Sequence, residues 1–170
     1  MENIEKRGQM KVSFGMIFSI ILIVIFIAFA FWGIGKFLSY QRSIQIGQFI
    51  NSYLQPDIDK MQKGSQGSVT KEYNLPSKID YVCFVDFSKP SSGPNADLYS
   101  DFQLFSSGGE SNIFLYPISA AGGFESTRIN HIDTEKITEQ ENPYCIENIK
   151  GKVRVVIKID IGETLVTLTR

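Results

Sequence analysis

The stretch Val12 to Gly35 reads VSFGMIFSIILIVIFIAFAFWGIG and holds no charged or amide side chain, with Lys11 before it and Lys36 after it. Fifteen of its 24 residues are Ile, Leu, Val or Phe. At roughly −0.3 to −0.6 kcal/mol each on an insertion scale, these residues favour the bilayer by several kcal/mol. A helix rising about 1.5 Å per residue makes the stretch ~36 Å long, enough to cross a ~30 Å hydrocarbon layer with some tilt. The reading is a transmembrane helix over residues 12–35, and the rest of the chain is a domain tethered to a lipid bilayer.

The flanks set an orientation. Lys6, Arg7 and Lys11 stand against Glu2 and Glu5 before the helix, and only Lys36 and Arg42 follow closely after it. Positive charge is retained on the cytoplasmic side, which predicts a cytoplasmic arm over residues 1–11 and an extracytoplasmic C-terminal domain at the cell membrane. The apolar run is longer than the roughly 7 to 15 residues of a cleaved secretory signal. Trp32 and Tyr40 fall at its outer end, where amphipathic rings anchor at the headgroups. Gly15 and Ser19 make a small-xxx-small pair, a spacing common by chance.

The arm and helix start, RGQMKVSFG from Arg7 to Gly15, resemble the class III signal peptides of archaeal type IV pilins and related surface proteins. The resemblance implies a prepilin-type peptidase that cuts between Gly8 and Gln9, retention of the membrane helix, and like subunits as partners. Ser13 stands at the fifth mature position, where that family often has Glu, and this departure favours processing over filament assembly.

Beyond the helix the charges are balanced and dispersed. From Lys36 onward there are 14 Lys and Arg against 16 Asp and Glu, and the whole chain carries −1. Nucleic acid is not a fitting partner, because phosphate neutralisation needs a concentrated basic face.

Residues 36–63 read as an amphipathic stalk helix. Ile46, Phe49, Ile50, Tyr53 and Leu54 define one face, with Gln45, Gln48, Asn51 and Ser52 on the other. That stripe packs on the domain; a helix lying on a membrane surface would carry a basic polar face. Pro56 cannot continue the hydrogen bonding, so it kinks the helix or opens a new one, with Asp57 and Asp59 in a first turn and Lys60 and Lys63 near the end. Residues 64–68, GSQGS, form a flexible link.

Residues 69–170 read as a β-rich domain. Ile79, Tyr81, Cys83, Val85 and Phe87 alternate onto one face of a strand, while Val82 and Phe84 occupy the other, so the strand is central and covered on both sides. Residues 152–161 form a second clear strand, and Gly162 with Glu163 makes a Gly-X turn into residues 164–169. Residues 69–75, 112–118 and 127–132 are weaker strands, and 133–141 is either a short helix or a loop. Residues 88–95 and 106–111 are long loops. The fold class is α+β: a single transmembrane helix extended into an amphipathic helix packed on a small antiparallel sheet. An even cysteine count in a domain outside the reducing cytoplasm predicts a Cys83–Cys145 disulfide, the alternative being two buried thiols.

Site chemistry is sparse. His131 is the one histidine and the cysteines are 62 positions apart, too few ligands for zinc, so His131 reads as structural. Asp133, Glu135, Glu139 and Glu141 lack the alternating oxygen pattern and glycine of a calcium loop. No phosphate loop, dinucleotide fingerprint, metalloprotease motif or nucleophile elbow occurs, and no catalytic or cofactor-binding residue is assigned. The composite reading is a membrane-anchored, pilin-like structural or adhesive surface protein rather than an enzyme. The competing class is a membrane-anchored extracytoplasmic binding or sensing module.

Overall fold

A computed structural model describes residues 14–64, 66–106, 108 and 110–170. The chain divides into two compact units, Met1–Leu38 and Ser39–Arg170. The chain is α+β, with a long apolar N-terminal helix and a seven-stranded antiparallel sheet.

Helix α1 runs Phe14–Gln48. No side chain from Phe14 to Tyr40 is buried, and the exposed set includes Phe26, Phe29, Phe31 and Trp32. A helix apolar all round satisfies its surface in lipid or in a large protein core. This one is long and apolar enough to cross a membrane.

In the second unit the helical backbone continues through a π-wound segment, Phe49–Leu54, into α2, Gln55–Gln62. The winding follows from the spacing of the buried residues. Ile46, Ile50, Leu54 and Ile58 recur strictly every four positions and each is at most 2% exposed. In an α-helix each four-residue step overshoots a full turn by about 40°, so Ile58 would leave the face. The wider turn of i→i+5 bonding, seen where the Gln55 N–H meets the Ile50 carbonyl, removes that overshoot. It also places Pro56, which has no N–H to give, in the first turn of α2. Tyr53, expected on the apolar face, is turned out by the same winding and is 55% exposed.

The sheet has the order β1 (Gly67–Asn74), β6 (Lys152–Ile159), β5 (Tyr144–Ile149), β2 (Tyr81–Phe84), β3 (Ile113–Tyr116) and β4 (Ser126–Thr127), with β7 (Thr167–Thr169) also paired to β6. β1 takes in Gly67 and Ser68 of the segment expected to be a link. Val153, Val155, Ile157 and Ile159 of β6 face the helix and join its core cluster. The β5–β6 hairpin closes through Lys150 and Gly151, both at positive φ (55° and 83°), as a two-residue turn matching the strand twist requires.

β2 is covered on both faces. Val82 and Phe84 belong to the helix-side core. Cys83, Val85, Phe114 and Cys145 pack on the other side under Leu98 and Phe102 of α3 (Leu98–Phe105). Ile79, expected on the Cys83 face, lies instead in the helix-side core, because the Ile79 N–H bonds the Pro76 carbonyl in a turn and the strand starts only at Tyr81.

Two further expectations are corrected. The β6–β7 connection is not a tight Gly-X turn: Lys158 pairs with Thr167, because Val166 exchanges backbone bonds with His131 and Asp133 instead. The segment 127–132 is a strand only at Ser126–Thr127. Beyond it the Asn112 side chain takes both the N–H and the C=O of Ile129, at 2.7 and 2.8 Å, where a ladder would have continued. The acidic segment carries a short helix, α4 (Thr134–Ile137), with the Asp133 carboxylate accepting the Lys136 N–H.

The loop at Ala121–Phe124 is clipped to the helix through two small residues. Ser43 donates its hydroxyl to the Gly122 carbonyl at 2.7 Å, and a Cβ on Gly47 would stand 2.9 Å from Phe124 Cζ.

The winding makes two neighbouring side chains energetically unlike. Ile50→Ala is expected to cost about 2–5 kcal/mol, as a buried large-to-small change does, and Tyr53→Ala within about 0.5 kcal/mol, as a surface change does. Denaturant titration of the two variants measures this, and similar losses would mean that Tyr53 shares the buried face.

Candidate functional site

The residues singled out by the sequence go to four different places. Gly8 and Gln9 lie outside the described residues. On α1, Trp32 and Tyr40 are exposed, and the Trp32 ring meets Phe29 edge-on at 6.1 Å.

Cys83 and Cys145 are joined by a disulfide across β2 and β5, where they are direct partners in the register with Cα atoms 4.0 Å apart. The Asn148 N–H bonds the Asp80 carbonyl, which fixes the alternation and makes the cysteine pair a non-hydrogen-bonded one. Such pairs hold the side chains closest. The bridge is buried beneath aromatic rings: Phe102 stacks on Phe114 at 4.9 Å, and Phe87 meets Phe114 edge-on at 5.6 Å.

His131 sits at φ 64° and donates from Nδ1 to Asp59 Oδ1 at 3.0 Å. Gln55 completes the clasp between α2 and this loop. Its amide donates to Asp59 at 2.7 Å and accepts the Asn130 N–H at 2.8 Å. The His131 hydrogen bond, followed by that of Gln55 and the charge of Lys63, holds the Asp59 carboxyl below its usual range despite some desolvation. Nearby, Asp57 accepts the Tyr73 hydroxyl at 2.8 Å and pairs with Lys71 at 3.2 Å. Burial first, and then Asp57, raises the Tyr73 phenol far above its ordinary value.

The four acidic residues of the 133–141 segment do not converge. Asp133 caps α4, Glu135 pairs with Lys89 at 3.1 Å, Glu139 is exposed, and Glu141 is buried against Arg170 at 2.5 Å. Among the described residues no three His, Cys, Asp or Glu side chains come together as a metal site requires.

Three asparagines are structural anchors that sequence reading missed. Asn142, 1% exposed, gives its amide N–H groups to the carbonyls of Asp86, Lys89 and Pro90 and accepts the Asp86 N–H, which pins the 88–95 loop. Asn148 holds the carbonyls of Pro76 and Ile79, and Asn112 holds Ile129. Their targets lie 17 to 72 positions away, so no local signal marks them.

One surface groove gathers charge that is dispersed in the sequence. It has a volume of about 640 Å³ and brings Lys150, Lys152, Arg154 and Arg170 together with Glu72 and Glu147 around Ile149. Glu72 neutralises Lys152 at 2.6 Å and lies 3.7 Å from Arg154.

No protein-family model, no curated protein and no solved structure matches the chain.

Replacing both Cys83 and Cys145 by Ser is expected to cost about 2–5 kcal/mol, the usual loss for a native bridge in a small domain. Thermal melts with and without reductant measure it, and a wild-type melt that reductant leaves unmoved under unfolding conditions would remove the bridge from the stability account. Asp59 gives a pH signature. Its folded-state pKa is depressed, so its contribution is complete above the unfolded-state value and is lost as pH falls through the folded-state value. Between about pH 5 and pH 2 the Asp59→Asn variant should therefore lose less stability than the wild type; equal acid sensitivity would mean that the His131 clasp contributes nothing.

Proposed function

We propose that this chain is a membrane-anchored, pilin-like surface protein with a structural or adhesive role and no catalytic activity of its own. The observation that carries the reading is the helical run from Phe14 to Gln62. Its first part exposes almost entirely apolar side chains, and its last part supplies Ile46, Phe49, Ile50, Leu54 and Ile58 to the core of the domain. One helix that serves as both anchor and core element is consistent with the retention of the membrane helix that the signal-peptide resemblance implies. The buried disulfide supports an extracytoplasmic domain, since such bridges persist in oxidising compartments.

In this reading the basic arm stays in the cytoplasm and a prepilin-type peptidase cuts between Gly8 and Gln9. Glycine presents no side chain to obstruct the peptidase, and Lys6 and Arg7 hold the site at the membrane face. The cut removes those two charges, leaving Lys11 and the new amine at that end of the helix. Fewer charges at the end lower the cost of drawing a subunit out of the bilayer. Mass spectrometry of the protein from its native membrane should find Gln9, free or cyclised, at the amino terminus, and protease added outside intact cells should digest the domain. An intact Met1 or Glu2 terminus would sink the processing claim and favour the anchored binding module, for which the Lys150–Arg154 groove is the candidate surface. Protection from external protease would reverse the orientation.

A further inference from the structure

β1 is an edge strand whose ladder faces only β6. The Leu75 N–H bonds the Gly151 carbonyl, which fixes the alternation along the strand. Odd-numbered residues of β1 bond to β6, and Ser68, Thr70, Glu72 and Asn74 turn their N–H and C=O groups to the free edge. All four residues are exposed, and among the described residues those backbone groups have no partner.

Sheet edges are ordinarily guarded by shortness, a bulge, proline or an uncompensated charge. The opposite edge, β4, is two residues long. β1 is eight residues long and pairs without a bulge from Gly67 to Asn74, with no proline. Its charges are paired within the protomer, Lys71 with Asp57 at 3.2 Å and Glu72 with Lys152 at 2.6 Å, so they leave no net charge on the edge and act on the register an approaching strand takes.

We propose that β1 pairs antiparallel with β1 of a second copy of this chain about a two-fold axis, making one sheet continuous across two protomers. Only registers that join even-numbered to even-numbered residues use the free groups. Centring the axis on Glu72 opposes two carboxylates, and centring it on Lys71 opposes two ammonium groups. Centring it on Thr70 sets Thr70 against its own copy, Ser68 against Glu72 and Val69 against Lys71, with no like charges opposed and the strand still paired over most of its length. In that register the chain entering β1 of the second copy, at Gln66 and Gly67, arrives beside the Tyr73–Leu75 end. A groove of about 430 Å³ lies there, walled by Gln45, Gln48 and Tyr53. Glutamine amides offer both donors and acceptors to an incoming backbone.

The test is sedimentation equilibrium of the full-length protein in detergent micelles, with three variants of Thr70. The wild type should dimerise reversibly. Thr70→Lys opposes two ammonium groups on the axis and should weaken the dimer by about tenfold or more. Thr70→Pro removes only an N–H that points to the free edge, so it should do the same while keeping the β6 ladder. Thermal melts matching the wild type establish that either variant folds. A nitroxide on Thr70→Cys should report the short separation of directly opposed residues, whose Cα atoms are about 5.5 Å apart in such a pair. A protein that stays monomeric at every concentration overturns the proposal. So does a dimer whose affinity neither Lys nor Pro changes, or labels at Thr70 that lie far apart.

Discussion

Five side chains on the helix, Ile46, Phe49, Ile50, Leu54 and Ile58, close one face of the sheet, and each is at most 2% exposed. Burying a large apolar side chain stabilises by about 1.5–3 kcal/mol, so the five together contribute on the order of 10 kcal/mol. That is as large as the whole net stability of a typical domain, about 5–15 kcal/mol. The contact also dictates backbone geometry. Strict four-residue spacing cannot face one sheet from an α-helix, so the helix widens its turn over Phe49–Leu54. Packing fixes the winding, and the winding in turn exposes Tyr53.

The other face of the sheet is divided. Over β2, β3 and β5 the aromatic side chains of α3 and its neighbours enclose the disulfide. Over β1 and β6 the outward residues Ser68, Thr70, Glu72, Asn74, Lys152, Arg154 and Lys158 are exposed, and Val156 in their midst is half-buried. An antiparallel sheet tolerates one solvated face, and here that face falls where the strands are longest.

What the sequence made legible follows a pattern. The long apolar helix, β2, β6 and the double cover of β2 were readable because each rests on local periodicity: an unbroken apolar run, alternation at Val153–Val155–Ile157–Ile159, or apolar residues at both parities in Val82–Val85. β1 read as a weaker strand, because Lys71 interrupts the inward alternation of Val69 and Tyr73. α3 was not read. Its two buried residues, Leu98 and Phe102, lie between a Pro- and Gly-containing loop and a Gly-rich one, and eight residues offer only two turns of pattern. The early end of β4 was hidden because a side chain, Asn112, takes the place of a neighbouring strand. The groove was hidden for a similar reason: Lys150, Lys152 and Arg154 are near in sequence, but Arg170 joins them only in the fold, where β7 pairs with β6 and Tyr144, Cys145 and Glu141 hold its backbone and side chain.

The reinforcement of the domain is placed around the short central strand β2 rather than along the long β1–β6 ladder. β1 and β6 pair over eight residues and carry ion pairs on either side of the Thr70–Val156 pair on their outward side. β2 pairs over four residues with each neighbour, too few to hold long connecting loops by backbone bonds alone. It is there that the disulfide crosses from β2 to β5, that Asn142 pins the loop leaving β2, and that Asn148 pins the turn entering it. An amide side chain suits this task because it is neutral and carries two donors beside an acceptor: Asn142 meets a loop N–H and carbonyls together, and Asn148 donates to two carbonyls, in neither case burying charge. Removing the Asn142 or the Asn148 amide would take from Pro90 or Ile79 the donor its carbonyl holds, with no neighbouring strand positioned to replace it, which makes these polar contacts necessary to the short half of the sheet, as the helix stripe is to the long half.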